Sequence, residues 1–383
     1  MKSRAILILG MHRCGTSALA RCLGFLGAEL GSELVAPAVD NPTGFWEDRR
    51  LLAINQRLTE LLGEEGDRWW EHSTPPEIPL ASPRVRPLLS EALGEIQGRF
   101  GSSGWWAFKD PRTLRAYPFW EAALQEAGVG IEQVIAVRHP LACAESLTQR
   151  NQLPEGRSLL LWTSQYLAHW PRIAARPFAA VDYDLLLEEP ERELRRLSDH
   201  LGLRWRREVA EEARGFLRPE LRHARFRLRD LQAKPNVPPL VVETFEALED
   251  LSVDHERKSA SLRMQALHAE FLRAVPLLRA LDSEWIRTER SEQVLSAERR
   301  NTSDQEEAGK RQVEELCQAM STVKAKLEET EAILAARERD LSALRTRMES
   351  SRTWRFLLRL RGLERSFRGL RKRLLGAGGR RRG

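Results

Sequence analysis

Gly10-Met-His-Arg-Cys-Gly-Thr-Ser17 is the stretch of this 383-residue chain whose residue types and spacing point most directly to chemistry. A continuous apolar run, Ala5–Leu9, precedes it, and Ala18–Leu26 follows with apolar residues at helical spacing. That order reads as a buried strand, a tight loop and a helix. Such a loop turns its backbone N–H groups inward at the positive end of the helix, which suits an oxyanion. The spacing approaches the phosphate-loop pattern of Gly, four residues, Gly, Lys and Ser or Thr. Here Gly10 and Gly15 hold the glycine positions, but Thr16 stands where the Lys belongs. That Lys reaches the β- and γ-phosphates of a nucleoside triphosphate, so its absence argues against ATP or GTP. The charge sits inside the loop instead, on Arg13 with His12 beside it. This predicts a short anion, bound without a triphosphate's metal. A cysteine-phosphatase cradle is the rival reading of Cys14. It needs an Arg six residues on, where this chain has Ala20.

Three further strands are expected, each running into polar residues. Trp105–Phe108 leads into Lys109-Asp-Pro-Arg112, Gln133–Val137 into Arg138-His-Pro140, and Phe178–Val181 into Asp182-Tyr-Asp184. Helices are expected over 51–62, 90–100, 158–169 and 190–203. Strands alternating with helices predict an α/β fold with a mostly parallel sheet, phosphate-loop-like and flanked by helices. Ligands of such sheets bind at the carboxyl ends of the strands. All four candidate strands end there in charged or polar groups. The polar, turn-rich segment 31–50 would lie over the mouth of the anion loop, and 63–87 reads as surface loop.

Composition bounds the answer. At 42% hydrophobic and 30% charged residues, most of the chain is expected to be globular. No apolar run reaches the roughly 18 residues of a membrane span. Ala5–Leu9 is too short for a signal peptide and is interrupted by His12 and Arg13, so a cytoplasmic location is expected. Cys14, Cys22, Cys143 and Cys317 show neither metal-ligand spacing nor a disulfide framework. No metal is expected. Residues 351–383 carry twelve Lys and Arg against Glu364, a net +11, which leaves −5 for the remainder of a chain whose total is +6.

The carboxyl-terminal third divides by pattern. The main domain is expected over 1–285, with a basic patch at 222–227, and a polar linker over 286–309. A coiled-coil helix is then expected over 310–350. One seam holds Val313, Met320, Leu327, Leu334, Leu341 and Met348. The other holds Leu316, Val323, Thr330, Arg337 and Leu344. This predicts a homo-oligomer. In the tail, 351–383, Phe356, Leu360, Leu363, Phe367, Leu370 and Leu374 share one helical face, with Arg361, Arg365, Arg368 and Lys372 opposite. That is the pattern of an interfacial helix lying in an anionic leaflet, which places the protein at the inner face of the cell membrane. Nucleic acid would use the arginines but has no need of the phased apolar face.

Three stretches together resemble the sulfotransferases that use 3′-phosphoadenosine 5′-phosphosulfate (PAPS). Gly10–Ser17 looks like that family's 5′-phosphosulfate loop. Arg138-His-Pro-Leu-Ala-Cys-Ala-Glu-Ser146, with Arg and Ser eight residues apart, is similar to its 3′-phosphate site. Val181–Pro190 leading into Leu194–Leu203 is similar to its strand-and-helix ending. The likeness runs over about residues 3–230. It implies donor-binding roles for His12, Arg13, Cys14, Gly15, Thr16, Ser17, Arg138, Ser146 and Tyr183, and release of 3′,5′-ADP. Cys14 departs from the Ser usual at its position, and a thiol is the weaker hydrogen-bond donor.

The reaction implied is in-line transfer of a sulfuryl group to an acceptor hydroxyl, with a glycan or glycolipid as the expected acceptor. Glu47 is the expected base, because Phe45-Trp46 can bury it and raise its pKa; Asp40 and Glu33 are the alternatives. Lys109 is placed to neutralise charge on the leaving nucleotide. Arg112 either assists it or only pairs with Asp110. The pairs Trp69-Trp70 and Trp105-Trp106 offer surfaces on which sugars could stack. A phosphate-loop kinase, or a membrane scaffold whose working part is the coiled coil, are the competing functions.

Overall fold

The structure is a computed structural model that describes residues 3–38, 41–63, 72–218, 225–254 and 257–376. Two compact units divide it, Met1–Arg290 and Ser291–Gly383. The first is built from β1 (Arg4–Leu9), α1 (Thr16–Phe25), α2 (Arg49–Leu61), α3 (Arg86–Glu95), β2 (Trp105–Lys109), α4 (Tyr117–Glu126), β3 (Gly130–Val137), α5 (Pro140–Asn151), α6 (Glu155–Ala168), α7 (Trp170–Ala174) and β4 (Phe178–Asp182). Then follow α8 (Tyr183–Glu188), α9 (Pro190–Leu201), α10 (Arg207–Phe216), α11 (Leu228–Gln232) and α12 (Pro239–Val253). The long helix α13 (Lys258–Ser350) and then α14 (Arg352–Gly376) complete the chain.

The four strands form one parallel sheet in the order β2-β1-β3-β4. Their apolar runs exist because both faces are covered. Alternate residues supply the two sides: Leu7, Leu9, Phe108, Ile135 and Val137 enter one core, and Ile6, Ile8, Ala107, Val134 and Ala136 the other. The chain leaves β1 for β2 on one side and returns to β3 on the other, so the strand order reverses beside β1. A crevice opens at such a reversal, at the carboxyl ends of the strands.

Local sequence explains most of the boundaries. Asp48 caps α2 by accepting from the backbone N–H of Arg50 and Leu51. Helix α9 buries Leu194, Leu197 and Leu201 and stops at Gly202, whose φ of 67° suits glycine. The helix expected from Ser90 starts earlier, at Arg86, with Pro87 in its first turn, and its last residues, Ile96–Phe100, form a π turn. Residues 286–309, expected as a polar linker, lie within α13. They carry no apolar periodicity, but they are rich in helix-forming Glu, Gln, Arg and Ala. The seam residues Val313, Leu316, Met320, Leu327 and Leu341 are helical and exposed. Among the described residues, no helix is long and apolar enough to cross a membrane.

One polar cluster ties the start of α13 to the sheet domain. Asp282 accepts from Arg157 Nη1 at 2.6 Å, and its other oxygen accepts from the backbone N–H and hydroxyl of Ser73, both at 2.8 Å. Arg157 is also 5.5 Å from the Trp285 ring. All three partners of this cluster are buried. His72–Thr74 are therefore held in place, with Arg115 donating to the carbonyls of His72 and Thr74, although the sequence reads there as surface loop. Removing one partner strands the other charge away from water. Asp282→Ala is expected to lower the unfolding free energy of the full chain by about 3–5 kcal/mol. Asp304→Ala, on an exposed turn of α13, is expected to change it by less than about 0.5 kcal/mol. Urea unfolding followed by tryptophan fluorescence compares the two; equal effects would show that the cluster anchors nothing.

Candidate active site

The loop between β1 and α1 is shaped by two backbone positions. Arg13 has φ 68° and Gly15 has φ 82°, so the chain doubles back twice before the helix begins. Only glycine fits the second position. A Cβ on Gly15 would lie 2.2 Å from the Tyr183 ring, which packs against the loop. Gly10 is equally confined, by Thr16 and Ala136. The loop thus sits between the carboxyl ends of β1 and β3, with the Tyr183 ring, from the start of α8, as its lid on one side.

Arg13, Arg138 and Ser146 form one network. Arg138, just past β3, donates from Nη1 to the Arg13 carbonyl at 2.7 Å, while Arg13 donates from Nε to the Ser146 hydroxyl at 2.8 Å. The Arg138 guanidinium also stands 4.9 Å from the Tyr183 ring, a cation–π distance. Its Nε is buried with no hydrogen-bond partner among the described residues. A buried donor without a partner costs about 1–3 kcal/mol, so this atom calls for a ligand acceptor.

A second pair faces this network across the cleft. Lys109 ends β2, and its Nζ donates to Glu47 Oε1 at 2.5 Å with both side chains buried. Burial pushes the Glu47 carboxyl above the usual range, and the charge of Lys109 offsets this only in part. The position of Glu47 is fixed by its neighbours in sequence. Its carbonyl accepts from Val35 N–H at 2.9 Å, and Asp48 caps α2 and pairs with Arg99. Asp110, fully buried, accepts from Asn55 at 2.8 Å and from Arg112 Nε at 3.0 Å, so Arg112 pairs with Asp110 while still lining the cleft.

These groups enclose a cleft of about 370 Å³, within the range of small-molecule sites. His12, Arg13, Gly15, Thr16, Ser17, Glu47, Lys109, Arg138, Ser146 and Tyr183 all line it. Its field is strongly positive. Burial, then Arg112, Lys109, Arg150 and Arg13, holds His12 well below the usual imidazole value, so this ring is neutral at pH 7. Asn41 closes the rim by donating to the Ser17 hydroxyl at 3.3 Å and to the Gly44 carbonyl at 2.8 Å.

Several expected residues fall elsewhere. Cys14 is fully buried: its N–H bonds the Met11 carbonyl, and its Sγ lies 3.1 Å from Cys143 Sγ on the side away from the cleft. It therefore shapes the loop without facing a ligand, because the reversed backbone at Arg13 and Gly15 turns the residue between them inward. Glu33 is at the surface, paired with Arg50, and Asp40 lies outside the described residues. Trp106 is core, stacked on Phe100 at 4.3 Å, and Trp105 packs against Arg4, so neither offers a sugar platform. Trp69-Trp70, and residues 222–224 of the basic patch, lie outside the described residues. Arg150 and Asn41 were not anticipated. Arg150 sits four residues beyond Ser146, one helical turn along the same face of α5, and that spacing could have found it.

Curated protein sequences give no match. Among solved structures, the sulfotransferase domain of the Synechococcus PCC 7002 olefin synthase is 18% identical, over 71% of this chain and 96% of that chain, with a TM-score of 0.36. Sulfotransferase STF9 from Mycobacterium avium is 18% identical, over 72% and 77%, with a TM-score of 0.33. The sulfotransferase domain from the curacin biosynthetic pathway is 16% identical, over 54% and 76%, with a TM-score of 0.34. Scores this low carry no argument by themselves. A family model described as the sulfotransferase family matches residues 5–207. That match spans more than half of the sequence, and the chain belongs to the sulfotransferase family.

Proposed function

We propose that this sulfotransferase takes its sulfuryl group from PAPS and passes it to an acceptor hydroxyl, with a glycan or glycolipid as acceptor. The observation that carries the donor assignment is the pair of linked cationic centres on one cleft, Arg13 in the anion loop and Arg138 just past β3, without a phosphate-loop Lys. A nucleotide with phosphates at both its 5′ and 3′ ends needs two such centres, and a triphosphate does not. The orphaned Nε of Arg138 fits a phosphate oxygen. A phosphate-loop kinase would lack the Lys that reaches the β- and γ-phosphates.

PAPS supplies a sulfuryl group on a phosphate that leaves as an anion. The chain supplies the rest. Backbone N–H groups of the loop and the start of α1 hold the 5′ end, with Arg13, Thr16 and Ser17 around them. Arg138 and Ser146 hold the 3′-phosphate, and the Tyr183 ring orients Arg138. Glu47 accepts the proton of the acceptor hydroxyl, a role suited to a carboxylate whose affinity for protons burial has raised. Lys109 partners Glu47 until an anion enters the cleft. It then has two negative partners, and any shift of its charge toward the leaving phosphate frees Glu47 to act as base.

Four measurements test this reading. Stabilisation against heat by 3′,5′-ADP, with none by ATP and Mg²⁺, is the expected ligand profile. Arg138→Ala should weaken 3′,5′-ADP by about 1.5–3 kcal/mol, far more than 5′-AMP, which loses only the support that Arg138 gives the loop through the Arg13 carbonyl; equal losses would remove Arg138 from the 3′-phosphate. Glu47→Gln should keep 3′,5′-ADP affinity while turnover falls about 10²–10⁴-fold. In the parent, activity should fall on acidification with a midpoint above the ordinary glutamate range, because protonated Glu47 is no base. Normal turnover by Glu47→Gln would assign proton removal elsewhere.

The second unit supports a placement at a membrane. We propose that two or more copies pair through the exposed seam of 310–350 and that α14 lies on an anionic leaflet at the inner face of the cell membrane. Phe356, Leu360, Leu363, Phe367 and Leu370 are exposed along α14 at alternating steps of four and three residues. Each cation near such a surface adds about 1 kcal/mol, and pairing multiplies a weak attachment. The full chain is expected to sediment with phosphatidylserine vesicles and not with phosphatidylcholine vesicles. Replacing Leu363 and Phe367 by Ser should release it with every charge intact. Full sedimentation of that double variant would show that charge alone holds the protein.

A further inference from the structure

Behind the anion loop two thiols face each other. Cys14 Sγ and Cys143 Sγ are 3.1 Å apart, and both residues are buried. The mechanism above uses neither side chain. Their placement links the two halves of the donor site. Cys14 lies in the loop between Arg13 and Gly15, and Cys143 lies in the first turn of α5, between Arg138 and Ser146. The same loop and helix are already joined by the bonds from Arg138 to the Arg13 carbonyl and from Arg13 to Ser146. Their acidities differ in a useful direction. Burial raises the Cys14 thiol, but hydrogen bonds with Cys143 and Tyr166 and the charge of Arg138 outweigh it, so Cys14 ionises more readily than an ordinary thiol. Burial pushes Cys143 well up, leaving it the protonated partner.

We propose that Cys14 and Cys143 form a peroxide-oxidisable dithiol pair whose disulfide distorts the anion loop and weakens donor binding. In the first step the Cys14 thiolate attacks one oxygen of a hydroperoxide; the S–O bond forms, the O–O bond breaks, and the departing alkoxide or hydroxide takes a proton from solvent. Cys143 sulfur then attacks the sulfenic sulfur of Cys14; the S–S bond forms, the S–O bond breaks, and the leaving hydroxide takes the Cys143 proton to become water. The two thiols lose two electrons and the peroxide gains them. A disulfide sets its sulfurs about 2.05 Å apart, so the pair must close by roughly 1 Å from its present 3.1 Å. Displacement on that scale in a binding loop can cost up to about 10²-fold. Cys22 is a poor rival, since burial raises its thiol to about 12; Cys317, exposed on α13, is told apart by its own peptide in the map.

The effect on binding rests on the donor assignment above; formation of the bond does not. The reduced full chain is treated with hydrogen peroxide, the remaining thiols are alkylated, and the digested peptides are mapped by mass. The expected result is a Cys14–Cys143 crosslink, lighter by two hydrogens and reversed by dithiothreitol, with 3′,5′-ADP affinity lowered about tenfold or more. Cys143→Ala, and Cys143→Ser in case the smaller side chain unfolds the site, should bind 3′,5′-ADP like the parent and lose the response to peroxide. Absence of the crosslink, or a crosslink that leaves affinity unchanged, overturns the proposal. If the reduced parent does not bind 3′,5′-ADP at all, the donor assignment fails separately. The thiol pair is then judged by hydrogen exchange over 12–17 and 140–146, which must differ between reduced and oxidised protein; identical exchange overturns it.

Discussion

Holding many positive charges at one point is the constraint on which this structure depends. Arg13, Lys109, Arg112, Arg138 and Arg150 converge on one cleft with Glu47 as the carboxylate among its lining residues. Like charges at such distances repel, and burial strengthens the repulsion. The protein manages it by giving most cations a partner that is fixed by the backbone. Arg138 donates to a loop carbonyl, Arg13 to the Ser146 hydroxyl, Lys109 to Glu47 and Arg112 to Asp110. His12 answers the same field by staying neutral. The result is a site whose charge is prepared in advance and satisfied only in part, which suits an anionic ligand.

The sheet makes that convergence possible. Parallel strands point their carboxyl ends the same way, so four separate segments can each deliver a side chain to one edge. The register sets Ile8 beside Lys109 and Leu9 beside Ile135, so β2 ends one residue short of β1 and β3 runs two residues past it. Between β1 and β3 the chain reverses its direction of travel across the sheet, and the anion loop occupies the gap. Gly15 is needed there twice over, once for its backbone angle and once because the Tyr183 ring takes the space of a Cβ.

Much of this was legible in the sequence, for a physical reason. Buried parallel strands are short apolar runs, and where they stop, charged residues announce the ligand edge. Lys109, Arg138 and Tyr183 were read that way and line the cleft. What escaped was what depends on three-dimensional direction. Cys14 sits between two cleft residues in sequence, yet the reversed backbone turns it inward. Trp105 and Trp106 look like a binding surface, but a strand buried on both faces spends its aromatics on the core. Arg150 needed the helical phase of α5, and Asn41 needed the fold of a loop with no periodicity. Residues 286–309 are helical for a reason that period does not reveal: polarity without period reads as a linker, and the same residues are good helix formers.

The Arg13 network has a consequence for how a ligand is read. Arg138 grips the backbone of the residue whose own side chain grips Ser146, so the anion loop and α5 are tethered to each other. Losses on replacing Arg13, Arg138 and Ser146 singly should therefore not add. Under the donor assignment proposed above, the two ends of a nucleotide would meet groups that settle together, and the cleft would favour a ligand with a phosphate at each end over a mononucleotide with one.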